Sequence, residues 1–307
     1  MLMKDILPDI IFKTPSVTEL KSKLYKDKRI GVSMLRLDEI HPVISGNKIF
    51  KLYYFLDEAG NSSHKKIITF GGVFSNHLAA TAFACRGMNL KSMGIVRGEK
   101  PAILSHTLQF CLDHGMELQF ISRGDYKRAN EKEFLDGLKK QHGECILIPE
   151  GGFSIKGKEG AALITQTFDS SSFTHVCMAV GTATTFAGII DGSRDECEII
   201  GFSVLKNMHD IHKRLLALEV NPSKKYSFMA DYHFGGYAKK TNELISFMNG
   251  FYLQNNIPLD FVYTAKMMFG VNDLVQKNYF PPGSNILCVH TGGLQGNQSL
   301  PEGTLVF

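Results

Sequence analysis

The stretch Ile67-Ile68-Thr69-Phe70-Gly71-Gly72-Val73-Phe74-Ser75-Asn76-His77 sets the architecture. Ile67 to Phe70 reads as a buried strand that ends in two glycines, and the Ala-rich run His77–Met88 that follows reads as a helix. Further apolar strands fall at Met93–Val96, Leu118–Ile121 and Cys145–Ile148, with helical stretches near Ala102–His114 and Tyr126–His142 between them. After Pro149-Glu150-Gly151-Gly152 the alternation resumes. A helix near Lys158–Phe168 leads to a strand at Thr174–Val180, a Gly/Thr turn and another helix. Glu198–Val204 and Ile286–His290 read as strands, and Asn207–Glu219 and Lys240–Gln254 as helices. Strand, helix, strand in succession predicts an α/β fold of mostly parallel sheets covered by helices.

Bulk properties exclude several classes. The 307 residues suffice for one large domain or two modest ones. A formal charge of +4 without a basic block or basic-aromatic stripe argues against nucleic-acid binding. The six cysteines are scattered with no Cys-x-x-Cys pair, which argues against structural zinc and a disulfide framework and for buried free thiols. The start, Met-Leu-Met-Lys-Asp-Ile-Leu-Pro-Asp, lacks the pattern of a signal peptide, and no apolar run approaches membrane-spanning length. The expectation is a soluble cytoplasmic protein.

Three elements carry chemistry. Gly181-Thr182-Ala183-Thr184-Thr185 runs from a strand into a helix, where backbone N–H groups and Thr hydroxyls suit a phosphate dianion. An ordinary strand-to-helix turn with Thr caps explains it equally well. Gly71-Gly72 through Ser75-Asn76-His77 offers a second helix start that can grip a carboxylate, and Ser or Asn there is equally an N-cap. The third element is Lys48 in Ser45-Gly46-Asn47-Lys48-Ile49-Phe50-Lys51, whose amine can form a Schiff base and then shuttle a proton. Asn47 beside it can hold a ring substituent. Lys51 lies three residues on, and spacing alone does not choose between the two lysines. Together the three elements are the parts needed to hold pyridoxal 5′-phosphate.

In these motifs the chain resembles the 1-aminocyclopropane-1-carboxylate (ACC) deaminase/D-cysteine desulfhydrase family of fold-type II pyridoxal-phosphate enzymes, part of the tryptophan synthase β-like group. The resemblance runs nearly end to end. Arg36-Leu37-Asp38 followed by Gly46-Asn47-Lys48 is similar to the family's Arg-Glu-Asp…Gly-Gly-Asn-Lys, which gives the Schiff-base role to Lys48. Ser75-Asn76-His77 matches a Ser-Asn-[Gln/His] segment. It implies Asn76 near the cofactor's 3′-oxygen, Ser75 near the substrate carboxylate and His77 as a further substrate-side residue. Ile148-Pro149-Glu150-Gly151-Gly152 resembles Ile-Pro-x-Gly, and Gly181, Thr182, Ala183, Thr184 and Thr185 correspond to the phosphate loop. Phe261-Val262-Tyr263-Thr264-Ala265-Lys266 is similar to Pro-Val-Tyr-[Glu/Thr]-Gly-Lys, making Tyr263 an active-site tyrosine where residue type alone favours a core aromatic at a strand end. Tyr237, in His233-Phe234-Gly235-Gly236-Tyr237, resembles a second one. His290-Thr291-Gly292-Gly293 matches His-x-Gly-Gly, with Thr291 near the pyridine ring.

The Pro/Gly-rich break at 149–157 and an earlier crossing near Lys48–Leu52 suggest two domains: a larger cofactor-binding domain of residues 1–51 and 153–307 and a smaller α/β domain of residues 52–152. The resemblance implies a homodimer. Two departures bear on substrate. Where the deaminase has Glu after the active-site tyrosine, facing the pyridine nitrogen, this chain has Thr264, as the desulfhydrase branch does. A neutral hydroxyl keeps that nitrogen protonated less well than a carboxylate. The chain also has less sequence before the lysine motif than typical members. The expected activity is therefore desulfhydration of D-cysteine, with ACC deamination as the alternative. From another class, a pyridoxal-phosphate-binding protein without turnover shares Lys48 and the phosphate loop but has no need of Tyr263 or Ser75. A nucleotide-binding protein rests on the Gly/Thr loop alone and lacks Gly-x-Gly-x-x-Gly.

Overall fold

The computed structural model describes residues 5–63 and 65–307. The reading of the N-terminus as lacking a leader falls partly on residues 1–4, outside the described residues. In chain order the elements are β1 (Val17–Glu19), α1 (Lys23–Lys28), β2 (Gly31–Arg36), α2 (Lys48–Asn61), β3 (Lys66–Gly71), α3 (Asn76–Gly87) and β4 (Lys91–Arg97). Next come α4 (His106–Asp113), β5 (Met116–Ile121), α5 (Arg123–Lys127), α6 (Lys132–His142), β6 (Ile146–Ile148) and α7 (Ile155–Ala162). The chain ends with β7 (His175–Val180), α8 (Thr184–Gly192), β8 (Glu198–Ser203), α9 (Ile211–Ala217), β9 (Tyr226–Met229), α10 (Asn242–Asn255), α11 (Thr264–Gln276) and β10 (Asn285–His290). No helix among the described residues is long and apolar enough to cross a membrane.

These elements form two units. The smaller comprises Lys48–Gly160 and the segment ending at Lys13; the larger comprises Thr14–Asn47 and Ala161–Phe307. The cuts differ from those expected after residues 51 and 152. Lys48 to Asn61 is one helix and is not divided at its first turn. Gly160 lies so close to α2 that a Cβ there would stand 2.2 Å from the Phe50 carbonyl oxygen, which ties 153–160 to the smaller unit. Leu7 and Ile10 pack against Gly87 of the same unit.

The smaller unit is a four-stranded parallel sheet in the order β5-β4-β3-β6. Alternating side chains point to opposite faces of a strand. Ile68, Phe70, Met93 and Ile95 accordingly join one cluster with Tyr126 and Leu138, while Val96 joins a second with Leu78, Ala82 and Leu108. The larger unit is a six-stranded sheet, β1-β2-β10-β7-β8-β9, antiparallel only at the β1/β2 edge. Strands buried on both faces read as continuous apolar runs, and β7, β8 and β10 do so. The architecture is the expected α/β fold of mostly parallel sheets covered by helices.

Local signals set four of the helix starts. Ser75, Ser105, Ser122 and Thr241 cap α3, α4, α5 and α10, each accepting a backbone N–H in the first turn. The single helix expected over Tyr126–His142 is two, because α5 closes at Arg128 and a new start follows at Glu131. The helix expected over Lys158–Phe168 is α7 followed by a 3-10 turn at Leu163–Thr167. All six cysteines are buried free thiols, as expected.

Candidate active site

Lys48 is the first residue of α2 and is half-buried, while Lys51, one turn on, is buried. The Lys51 ammonium nitrogen donates to the Gly151 carbonyl at 2.6 Å. Burial, then the neighbouring charge of Lys48, holds the Lys51 amine well below its ordinary range. The glycines of the 149–152 turn are needed here. Gly151 and Gly152 take φ of 64° and 72°, in the left-handed region that a side chain disfavours.

Ser75 sits at the N-cap of α3, its Oγ accepting the Leu78 N–H at 3.3 Å. Gly71 makes this turn possible, since a Cβ there would stand 2.5 Å from Ser75 Oγ. Both uses expected of Ser75 are therefore compatible, because the cap engages one donor and the first-turn N–H groups remain. Asn76 opens α3, and its side-chain oxygen is buried without a hydrogen-bond partner among the described residues. His77 is buried as well. The Thr69 hydroxyl has one proton, which it donates to the Ile148 carbonyl at 2.9 Å, so His77 Nε2–H donates to Thr69 Oγ1 at 3.0 Å. This assigns the tautomer and leaves Nδ1 as a bare acceptor, buried without a partner among the described residues. Burial, then the charges of Lys51 and Lys48, pushes His77 well below its ordinary pKa, so the ring is neutral.

In the larger unit the Gly/Thr loop joins β7 to α8. Its N-cap is Ala183, at φ 74° and with no side-chain capping bond, so this is not the ordinary Thr-capped turn. Thr182 and Thr184 exchange a hydroxyl contact at 3.0 Å, and Thr185 Oγ1 accepts from Asn47 Nδ2 at 2.8 Å. The residue preceding Lys48 in the chain is thus tied to the loop. Asn47 N–H also donates to the Thr291 carbonyl at 3.2 Å, and Thr291 is buried. Gly46 allows this approach: at φ 79°, its Cβ would stand 2.0 Å from that carbonyl oxygen. Arg36-Leu37-Asp38 builds the same turn. Arg36 pairs with Asp38 at 2.6 Å, and the Leu37 carbonyl accepts Gly46 N–H at 2.7 Å.

Tyr263 is the N-cap of α11, not a strand end, and is half-buried; a Cβ at Gly181 would stand 3.4 Å from its ring. Its hydroxyl lies 3.4 Å from that of Tyr237, with the rings edge-on at 6.0 Å. Larger-unit geometry therefore gathers Asn47, Thr291, Gly181 to Thr185, Tyr263 and Tyr237. Thr264 differs from expectation. Its hydroxyl donates to Asp260 Oδ1 at 2.7 Å and accepts Asp260 N–H at 2.9 Å, so its proton is committed to the helix start. Asp260, absent from the sequence reading, also accepts the N–H groups of Val262, Tyr263 and Thr264. An Asp four residues before the tyrosine motif's Thr is a capping signal that would have found it.

Each unit by itself presents groups that suit a part of pyridoxal phosphate. An uncapped helix start with a left-handed Ala suits a phosphate dianion. The buried, partnerless amide end of Asn76 suits a ring oxygen, since the amide's two ends exchange by a half-turn.

Comparison with known proteins agrees. The sequence model of the family described as pyridoxal-phosphate dependent enzyme matches residues 11–292. A Pyrococcus abyssi protein named putative 1-aminocyclopropane-1-carboxylate deaminase is 30% identical over 300 residues, covering 89% of this chain and 88% of its own. An Arabidopsis thaliana protein named bifunctional D-cysteine desulfhydrase/1-aminocyclopropane-1-carboxylate deaminase, mitochondrial, is 30% identical over 280 residues, covering 82% and 70%. The crystal structure of an ACC deaminase homologue matches with a TM-score of 0.77 at 25% identity, covering 96% of this chain and 95% of that one. The chain belongs to the pyridoxal-phosphate dependent enzymes, in the ACC deaminase/D-cysteine desulfhydrase family.

Proposed function

We propose that this enzyme converts D-cysteine and water to pyruvate, sulfide and ammonia. The observation that carries the preference over ring opening is the Thr264 hydroxyl, donated to Asp260 at 2.7 Å. The position after Tyr263 then offers no carboxylate to hold a pyridine nitrogen protonated, which suits β-elimination better than opening a cyclopropane.

Lys48 is the residue that would carry the cofactor. When bound, pyridoxal phosphate supplies an electron sink for the charge left at Cα. The N–H groups and hydroxyls of Gly181 to Thr185 would take its phosphate, and Asn76 its ring oxygen. The α3 N-terminus and Ser75 bind the substrate carboxylate. The Lys48 amine would take the Cα proton. Tyr263, its hydroxyl beside that of Tyr237, delivers a proton to the departing sulfur.

Purified holoenzyme is given D-cysteine or ACC, and 2-oxo acid and sulfide are measured. Pyruvate with equimolar sulfide supports the reading. Turnover of ACC alone overturns the substrate, and a bound cofactor with no 2-oxo acid from any D- or L-amino acid overturns the activity in favour of binding without turnover.

A further inference from the structure

Lys266 has a fully buried side chain on α11, one turn beyond Tyr263. A buried ammonium is costly unless its N–H groups are used. Two of them donate to the carbonyls of His233 at 2.9 Å and Gly236 at 2.7 Å. These carbonyls also hold the loop's own turns, accepting the N–H groups of Gly236 at 3.0 Å and Lys239 at 3.1 Å. The loop needs such support. Phe234, Gly235, Gly236 and Ala238 have φ of 50°, 89°, 117° and 54°. For Phe and Ala that conformation costs roughly 1–2 kcal/mol per residue. Strained backbone persists where its surroundings over-determine it. Further attachments include the His233 ring, whose Nδ1 accepts Gly235 N–H at 2.9 Å, and Phe234 edge-on to Phe269 of α11 at 4.9 Å.

We propose that Lys266 is a positioning residue, clamping the 233–236 loop to α11 so that the Tyr237 hydroxyl is held against that of Tyr263. Both tyrosines are thereby referenced to one rigid element, Tyr263 as its N-cap and Tyr237 through the ammonium one turn later. The functional half of this inference rests on the proposed role of the two tyrosines. The clamp itself does not.

The test is a double-mutant cycle of Lys266→Met and Tyr237→Phe in holoenzyme, on the amino acid that wild type turns over, with hydrogen exchange of the 233–239 amides. Lys266→Met is expected to keep the cofactor absorbance and to speed exchange at Gly235, Gly236 and Lys239 at least ~10-fold. It should lower kcat/KM by ~10- to 100-fold, the scale of a 1 Å misplacement. Adding Tyr237→Phe to it should cost nothing more. Factors that multiply, or exchange that stays at the wild-type rate, overturn the proposal. If Tyr237→Phe alone leaves turnover unchanged, the tyrosine's role falls, and faster exchange in Lys266→Met still establishes the clamp. Lys266→Leu, which likewise removes the donors, is read the same way if the Met variant does not fold, and refolding is checked first by cofactor absorbance.

Discussion

Thr264 and Asp260 are joined through side chain and backbone: the hydroxyl donates to the carboxylate at 2.7 Å and accepts the Asp260 N–H at 2.9 Å, and the Thr264 N–H donates to the same carboxylate at 2.9 Å. Because Asp260 is fully buried, this pair sets both the start of α11 and the chemistry open to position 264. Thr264→Val removes a donor from a buried carboxylate and is expected to cost about 1.5–3 kcal/mol in denaturant unfolding. Thr264→Glu sets two buried carboxylates against each other and should cost more, without giving 2-oxobutanoate from ACC. Equal stability of all three proteins contradicts the capping role.

The two lysines of α2 have different duties. Lys51 is tied to the Gly151 carbonyl, whereas Lys48 opens the helix. Lys48→Ala should abolish the visible absorbance of lysine-bound cofactor, and Lys51→Met should keep it. The opposite pattern assigns the cofactor to Lys51.

Asn76 separates binding from stability. Its buried amide oxygen has no partner among the described residues, a cost of about 1–3 kcal/mol in the apo protein. Asn76→Ala should therefore leave apo stability unchanged or raised, yet weaken pyridoxal phosphate roughly 10-fold for a lost bond of about 1.4 kcal/mol. Titration of apo protein with cofactor and urea unfolding measure the two terms. A variant that is destabilised with unchanged affinity refutes the assignment.

Gly46→Ala tests the turn before the lysine. A Cβ at φ 79° would lie 2.0 Å from the Thr291 carbonyl oxygen, which is backbone and does not yield. The expected loss is ~3 kcal/mol or more, with cofactor affinity falling because Asn47 is displaced. An unchanged melting temperature shows that the turn relaxes elsewhere.

Lys266 predicts a pH dependence. Burial, opposed by the Asp260 charge, lowers its pKa from 10.5 to about 8 in the folded protein. Between those values the unfolded chain binds more protons, so this group's contribution to stability rises with pH. The cost of burying the cation is complete below pH 8 and is relieved towards 10.5. Unfolding free energies across that window should rise less steeply in Lys266→Met than in wild type.

Much of the fold was legible because its determinants are local. The run Ile67 to Phe70, the glycines after it and the Ser75 cap lie within ten residues of one another, and they produced β3, the turn and α3 much as read. The Gly/Thr loop is legible too, but residue order supports its two readings equally. Only the positive φ of Ala183 and the missing cap distinguish it from an ordinary turn. Short edge elements such as β1 and β9 carry too few residues to show a period, and neither was read from the sequence.

Composition and residue order by themselves determined the alternating α/β architecture, the buried thiols and the motifs that contain Lys48, Ser75, Asn76 and Tyr263. Periodicity, caps and turn residues act over one or two turns of chain, and one sequence displays them in full. Tertiary structure alone decided that Thr264 serves Asp260, that His77 presents a bare Nδ1, and that Lys266 holds a loop some thirty residues away. In each case a buried donor must find an acceptor, and which acceptor is within 3 Å depends on how the whole chain closes on itself.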